Sequence, residues 1–370
     1  MRFDWDDVRR AKGEGFLNIV AHPVATDDLF LLNYTDRAQY QRAWDRYPVL
    51  VDCRGTVVNA AGDAIAKPFR KFFNVGEQPA TQLEHLVTLG VPEVTHKLDG
   101  SMCVLYPYAG GHRFTTRGSF TSWQATRATE IWEKQYAPEL TERLDGRVTY
   151  IFELVGPDNR HVVRYDREDV VLIGVVMTET GREWSYAAVT AEARRLNLPH
   201  VDAEPLTDDW QSLVRAERSN FEGFVLFWPD HDLRVKVKLE EYVRLNRIIS
   251  GLNEHVVWEH LREGADIEEM RAAVPEEIQA WLDTTTAAMI RAHTDLGAQV
   301  EQVLAKIRAT GLDPADRTQR KDVARIVLRE SGAIRPAVFL AIDNRDYQDA
   351  LWRLVEPRSS DPLRPADEKA

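Results

Sequence analysis

The chain has 370 residues, of which 44% are hydrophobic and 29% charged, and these proportions predict a soluble globular protein of about two domains. The net charge of −12 argues against a protein that coats nucleic acid along its whole surface, and no apolar run approaches the roughly 20 residues of a membrane span. The N-terminus lacks the apolar segment of a secretory signal, and the two cysteines show no metal or redox spacing. We therefore expect a cytoplasmic protein with no membrane association.

In the segment from Leu50 to Glu77, cations alternate with phenylalanines. It follows a predicted strand at Leu29–Leu32 and a predicted helix near Arg37–Arg46. The segment is either a solvated edge over a packed aromatic cluster or a set of cations for a polyphosphate, because Arg and Lys are the usual phosphate partners.

The stretch from Val94 to Tyr106, VTHKLDGSMCVLY, predicts a hairpin of strand, tight turn and strand. Asp99 and Gly100 suit the turn, because Asp bonds nearby backbone amides and Gly accepts positive φ at no steric cost. Lys97 would stand at the lip of this turn with its amine directed into a cleft. An amine there acts as a nucleophile when burial or nearby cations favour its neutral form.

An acidic residue, Glu153, interrupts the apolar strand predicted at residues 148–155. A carboxylate in such a strand is costly without a partner, so Glu153 either has one or faces water at the strand end. A further buried strand is predicted at Asp169–Met177, with helices over Ser122–Tyr136 and Ser185–Leu196.

A second hairpin is predicted from strands at Gly223–Trp228 and Leu233–Leu239, joined by Pro-Asp-His-Asp. Period-two alternation places Arg234, Lys236 and Lys238 on one face, with the two ammonium groups about 7 Å apart. Like charges this close are tolerated on a solvated face or around a bound anion.

The hairpin loop fixes a register in which Val225 pairs with Lys236 and Gly223 pairs with Lys238. This leaves an uncovered spot at Gly223 beneath the lysines. The same register turns Glu222 to the opposite face, unless Glu222 lies in the turn before the strand or a bulge corrects its direction.

The strand signal ends near Glu240, and the rest of the chain predicts a separate all-α domain. Helices are expected at Glu240–Ile249, Asn253–Glu263, Pro275–Ala309, Arg317–Glu330 and Pro336–Leu354. Within them Arg317, Lys321, Arg325 and Arg329 form a basic stripe, which is either a solvated face or a contact for nucleic-acid phosphates. The predicted organisation is a domain over 1–245, a helical domain over 246–356 and a flexible tail over 357–370.

Several short motifs follow one another in an order that is more specific than any one of them. They are CRG at Cys53–Gly55, KFFN at Lys71–Asn74, KLDG at Lys97–Gly100, FELVGPDNRHVVRY at Phe152–Tyr165, EGFV at Glu222–Val225 and KVK at Lys236–Lys238. Over about residues 30–245 the chain resembles the ATP-dependent RNA ligases of the phage T4 RNA ligase 1 type, within the covalent nucleotidyltransferase superfamily. The resemblance implies an α+β fold, with a nucleotidyltransferase (adenylation) domain of antiparallel sheets and flanking helices, followed by an all-α C-terminal domain. The motifs do not extend into the helical domain, which is a candidate for RNA recognition.

The resemblance also implies a role for each matching residue. Lys97 would attack the α-phosphate of ATP to form a lysyl-adenylate, and Lys236 and Lys238 would neutralise that phosphate. Arg54 and Lys71 would bind the β- and γ-phosphates, with Arg117 as a weaker partner at a position where a lysine is expected. Glu153 would bind the ribose, and Val225 would pack on the adenine. Glu222 would place a divalent metal, Mg²⁺ or alternatively Mn²⁺.

The implied function is ATP-dependent joining of RNA 5′-phosphate and 3′-hydroxyl ends, in the repair of RNA such as tRNA. Two alternatives stay open. The first is another nucleotidyl-lysine enzyme, such as a DNA ligase or a GTP-using capping enzyme. The second is a nucleotide- or RNA-binding module that forms no covalent adduct, although such a module has no need of the whole cation set.

Overall fold

The structure is a computed structural model that describes residues 1–159, 162–274 and 276–357. The chain forms two compact units, Met1–Val243 and a second unit that begins at Arg244. Within the described residues, no helix is both long enough and apolar enough to cross a membrane.

The strands and helices are numbered here in chain order. The strands are β1 Leu17–Ala21, β2 Leu29–Tyr34, β3 Arg54–Asn59, β4 Ala64–Ala66, β5 Phe73–Asn74, β6 Glu93–Lys97, β7 Ser101–Tyr108, β8 Gly111–Thr116, β9 Val148–Val155, β10 Asp169–Met177, β11 Gly223–Trp228 and β12 Leu233–Lys238. The α-helices are α1 Trp5–Gly13, α2 Asp36–Tyr40, α3 Leu83–Val87, α4 Trp123–Gln135, α5 Ala137–Leu140, α6 Tyr186–Leu196, α7 Glu240–Gly251, α8 Glu254–Arg262, α9 Ile267–Ala273, α10 Glu276–Ala309, α11 Arg320–Glu330, α12 Arg335–Ile342 and α13 Gln348–Val355.

The described residues of the first unit form three four-stranded sheets, in the orders β1-β2-β3-β4, β10-β9-β7-β8 and β5-β12-β11-β6. Neighbouring strands run antiparallel except for the short parallel pair of β5 and β12. The predicted α+β class with antiparallel sheets and flanking helices is therefore confirmed.

The second sheet forms around β9, whose eight residues are all buried. Helices α4 and α6 cover it and share one apolar core with it, which includes Trp132 and Val189. Each helix begins at a serine N-cap, because the hydroxyls of Ser122 and Ser185 accept hydrogen bonds from amides in the first turn.

The predicted hairpin around Lys97 is wrong, because its two strands belong to different sheets. β6 pairs with β11 in the third sheet, whereas β7 pairs with β8 and β9 in the second. Where the chain crosses between the two sheets, Gly100 is required for its small size and not for a positive φ. A Cβ at this position would lie 2.2 Å from the Leu154 carbonyl oxygen. Lys97 thus ends a strand where the chain passes from one sheet to the next.

The second unit is helical and has its own apolar cores, one around Trp258 and Leu282 and one around Val323 and Val338. The predicted helix Pro336–Leu354 is two helices, α12 and α13, since Asn344 adopts a left-handed φ of 55° after α12 and ends it. Helix α9 was not predicted from the sequence.

Parts of three sequence predictions lie outside the described residues. They are residues 358–370 of the predicted tail, Pro275 of the predicted long helix, and Arg160 and His161 of the FELVGPDNRHVVRY motif.

Candidate active site

A cavity of about 250 Å³, called the central cavity below, lies between the second and third sheets. Its apolar lining includes Phe72, Met102 and Val225. Its charged lining residues are Arg54, Lys97, Glu153, Arg234, Lys236 and Lys238. The structure thus brings together at one cavity most of the residues predicted from motifs scattered between positions 54 and 238.

The register of the third sheet sets the spacing of the lysines. Gly223 pairs with Lys238 on one side and with Lys97 on the other, and Val225 pairs with Lys236. The predicted register of β11 and β12 is confirmed. Because Gly223 has no side chain, the two lysines flank an uncovered stretch of backbone.

Glu222 lies immediately before β11, in the position that one of the sequence alternatives gave it. Its Oε2 accepts a hydrogen bond from Lys97 Nζ at 2.8 Å, and its Oε1 lies 2.9 Å from Lys238 Nζ. Its side chain is buried, at 2% exposure. The register is correct, but the opposite-face direction that it gave Glu222 is wrong, because Gly223 enters the strand with a φ of 149° that turns the preceding residue back towards the lysines.

Asp99 fixes the chain that carries Lys97, through partners distant in sequence. Its Oδ2 accepts the amides of Val162 and Val163 at 2.7 and 2.8 Å, and its Oδ1 accepts the Tyr242 hydroxyl at 2.7 Å. The Asp99 amide donates to the Tyr165 hydroxyl. Sequence reasoning assigned Asp99 to a local turn, because nothing in the pattern shows which remote amides it binds.

The remaining predicted phosphate partners lie at different distances from the cavity. Arg54 lines it and donates to Met102 Sδ at 3.0 Å. Lys71 lies just outside, with its ammonium 4.8 Å from the Phe73 ring centre and 3.3 Å from Gln39 Oε1. Arg117 is exposed after β8, and its guanidinium lies 5.7 Å from the Tyr34 ring.

Arg234 is a cavity residue to which sequence reasoning gave a face but no role. It forms a buried ion pair with Glu183, and its guanidinium lies 4.2 Å from the Phe69 ring centre. The alternation of side chains along β12 was enough to predict the face on which Arg234 lies. Its partners could not be predicted in this way, because they come from remote segments of the chain.

Burial and neighbouring charges shift the proton affinities at this cavity. Burial, above all, lowers the pKa of Lys236 to about 7, and the positive charges of Lys71, Arg54, Lys97 and Lys238 add to the effect. Burial also raises the pKa of Glu153 to about 7, against the opposing effect of Lys97. The alternative in which Glu153 faces water at a strand end is wrong, since its side chain is buried in the middle of the sheet.

Within the described residues, no group of three or more His, Cys, Asp or Glu side chains could hold a metal ion. Mg²⁺ in nucleotide sites is often held by one or two carboxylates together with substrate phosphates. Glu153 lines the cavity, and Glu222 lies behind two lining lysines, with its two oxygens against the ammonium groups of Lys97 and Lys238. A divalent cation that arrives with a nucleotide would therefore have Glu153 within reach, and Glu222 only once Lys97 leaves its ion pair.

Residues 52–242 match the family model described as RNA ligase, of the T4 RNA ligase 1 type. An RNA ligase of Rhodothermus phage RM378 is 27% identical over 288 residues, covering 60% of this chain and 64% of the phage protein. A protein of Thermovibrio ammonificans is 31% identical over 218 residues, covering 56% of each chain. The chain therefore spans less than two thirds of the length of either relative.

A solved structure described as an archaeal ATP-dependent RNA ligase, form 1, aligns with a TM-score of 0.50 at 13% identity, over 78% of this chain and 79% of that chain. This likeness concerns the fold. Because the family model covers more than half of the sequence, the chain belongs to the RNA ligase family of the T4 RNA ligase 1 type.

Proposed function

We propose that the protein is an ATP-dependent RNA ligase that joins 5′-phosphate and 3′-hydroxyl RNA ends, and that it repairs RNA such as tRNA in the cytoplasm. The observation that carries the proposal is the position of Lys97 beside Lys238, with Lys236 and Arg54 at the same cavity. A lysine amine among cations matches a reaction in which the amine attacks a polyphosphate. Cys53 and Cys103 are free and buried, which suits a reducing compartment.

In the first step, the neutral Lys97 amine attacks the α-phosphorus of ATP. A nitrogen–phosphorus bond forms, the bond to pyrophosphate breaks, and the amine proton passes to solvent. Because Lys97 Nζ forms an ion pair with Glu222 at 2.8 Å, the ammonium must leave this pair and release a proton to solvent before the amine attacks. Lys236 and Lys238 neutralise the α-phosphate, and Arg54 and Lys71 bind the β- and γ-phosphates, with Arg117 as a weaker partner.

In the second step, an oxygen of the RNA 5′-phosphate attacks the same phosphorus, and the bond to Lys97 breaks. In the third, the 3′-hydroxyl attacks the RNA 5′-phosphorus and releases AMP. Throughout these steps Glu153 binds the ribose and Val225 packs on the adenine. Mg²⁺ or Mn²⁺, placed by Glu222, would neutralise phosphate charge when bound with the nucleotide.

Incubation of the protein with α-labelled ATP and Mg²⁺, followed by denaturing electrophoresis, tests the first step. We expect label on the wild-type protein and none on Lys97→Ala, because the adduct forms on that amine. Lys306→Ala, an exposed lysine of the helical unit, is the matched control and should keep its label.

Label from GTP but not from ATP would instead indicate a capping-type enzyme. The absence of label from either nucleotide would indicate a binding module. Sealing of nicked duplex DNA as fast as RNA joining would indicate a DNA ligase. Each of these results would contradict the proposed activity.

A further inference from the structure

A second cavity, of about 510 Å³, lies beside the central cavity and shares Phe72 and Arg234 with it. We call it the lateral cavity. Trp44 and Phe73 form an aromatic wall there, with their ring centres 5.3 Å apart in an edge-to-face arrangement. The roles proposed above leave this wall without a use.

The charge of the lateral cavity is concentrated at Lys71. The other cations of the lining are paired: Arg42 with Asp45 at 3.7 Å, Arg70 with Asp52 at 3.1 Å and with Asp232 at 3.8 Å, and Arg234 with Glu183. Within the part of the chain that the structure describes, Lys71 has no carboxylate at ion-pair distance, and its ammonium donates to the neutral Gln39. Glu77 acts on Lys71 only from beyond ion-pair distance. A cation without a direct carboxylate partner, beside aromatic rings, is the combination that binds a nucleobase and its phosphate.

The stereochemistry of phosphoryl transfer indicates which nucleotide would use the lateral cavity. Attacking and leaving groups lie roughly in line across the phosphorus. In the first step Lys97 attacks and pyrophosphate leaves on the opposite side, towards Arg54 and Lys71. In the second step Lys97 is the leaving group, so the incoming RNA 5′-phosphate enters from the side that pyrophosphate has left.

The nucleoside attached to that 5′-phosphate then lies beyond Lys71, where the lateral cavity is. We infer that the lateral cavity binds the 5′-terminal nucleoside of the RNA strand that receives AMP, with Trp44 and Phe73 against the base and Lys71 at the phosphate. This inference rests on the proposed function. The 3′-hydroxyl strand attacks later, opposite the departing AMP, and so does not compete for the cavity.

Ala80→Trp tests the inference by filling the lateral cavity from its rim. Ala80 is an exposed lining residue in the short turn Pro79–Thr81, so the substitution removes no buried contact. We expect the transfer of AMP from Lys97 to a 5′-phosphorylated RNA to slow about tenfold, since the donor base loses its stacking on the aromatic side chains. Self-adenylation from ATP should be unchanged, because the substitution keeps Lys71, which borders the lateral cavity, and the other proposed ATP contacts do not line it.

A second donor RNA, with an abasic first residue, isolates the contribution of the base. Wild-type protein should transfer AMP to it about tenfold more slowly than to the intact RNA. Ala80→Trp should treat the two donors alike. Ala61→Trp, at an exposed alanine in the turn between β3 and β4, is the matched control and should behave as wild type.

Equal transfer by wild type and Ala80→Trp to both donors would overturn the inference. So would a defect confined to the joining of pre-adenylated RNA, which would assign the cavity to the 3′-hydroxyl strand. If wild-type protein forms no lysyl-adenylate, the proposed function fails. In that case fluorescence anisotropy with the two labelled RNAs tests the lateral cavity separately. If wild type, but not Ala80→Trp, binds the abasic RNA more weakly than the intact RNA, the inference is supported. If wild type binds the two RNAs equally, it is refuted.

Discussion

Gly223 decides how Glu222 is oriented, and through Glu222 how Lys97 and Lys238 are held. A Cβ at Gly223 would lie 1.9 Å from the Val237 carbonyl oxygen, so the glycine permits the close approach of β11 to β12. It also allows the φ that directs Glu222 between the two ammonium groups. One residue without a side chain thus places three charged ones.

The lowered pKa of Lys236 predicts that nucleotide binding depends on pH. With a pKa of about 7 in the free protein, it is positively charged below that pH and loses the charge above it. The apparent affinity of the free protein for ATP should therefore weaken as the pH rises through about 7. In Lys236→Arg, the guanidinium stays charged and this part of the dependence should vanish. ATP binding measured by equilibrium dialysis across this range checks the prediction.

Nucleotide phosphates titrate in the same range, so the comparison between variants is decisive and the wild-type profile alone is not. Lys306→Arg, in the helical unit, is the control and should keep the wild-type profile. Identical profiles in Lys236→Arg and wild type would show that Lys236 does not supply the titrating charge.

The irregular segment between β4 and β5 carries Lys71, and a buried ion pair between Lys67 and Asp52 holds this segment in place. Lys67 Nζ lies 2.9 Å from Asp52 Oδ1, without the angle of a hydrogen bond, and both side chains are buried. The Lys71 amide donates to the Val51 carbonyl at 2.7 Å. Asp52 and Val51 thus hold this segment against the chain that leads into β3 and Arg54.

Asp52→Asn should destabilise the protein by about 3–5 kcal/mol, because it leaves the buried Lys67 ammonium without a counter-charge. Unfolding by urea, followed by tryptophan fluorescence, measures the change. Asp63→Asn, at an exposed carboxylate 3.9 Å from Arg2, should change stability by less than about 0.5 kcal/mol. Recovery of stability in the double variant Asp52→Asn, Lys67→Met would confirm the cause, and equal stability of Asp52→Asn and wild type would contradict it.

At the scale of the whole molecule, the helical unit offers a basic face on α11. Lys321, Arg325 and Arg329 are exposed on the side opposite Val323 and Val327, which are fully buried. Arg317 lies in a separate turn before α11, so the predicted four-residue stripe does not lie on one helix. Arg325 and Arg329 also lie close to Asp322 and Glu330, which reduces the net charge of the face.

Charge reversal on α11 tests whether this face contacts RNA. The double variant Lys321→Glu, Arg325→Glu should weaken RNA binding and joining about tenfold, since each phosphate contact is lost together with its counterion release. Self-adenylation should be unchanged. Filter binding at two salt concentrations measures the effect, and Arg291→Glu, Arg308→Glu on α10 is the control. A defect of equal size in self-adenylation and joining would mean that the face has a structural role.

Local pattern determined a large part of the fold. The strands at 148–155 and Asp169–Met177 have the predicted bounds, because β-branched and apolar runs bounded by turns have few alternatives. The register of β11 and β12 followed from loop length and alternation. The prediction of a hairpin around Lys97 was wrong, because the sequence shows that two strands are near each other in the chain but not with which strands each of them pairs.

The sequence by itself determined the candidate nucleophile, the cations and the family resemblance, since these depend on residue type, order and spacing. Only the tertiary structure decided that β6 and β7 separate at Gly100, that Glu222 turns between Lys97 and Lys238, and that Asp99 binds amides near residue 162. It also placed Lys71 at the junction with a second cavity. The physical reason is that these features depend on which remote backbone and charges come within a few ångströms, and close packing sets those distances across the whole chain.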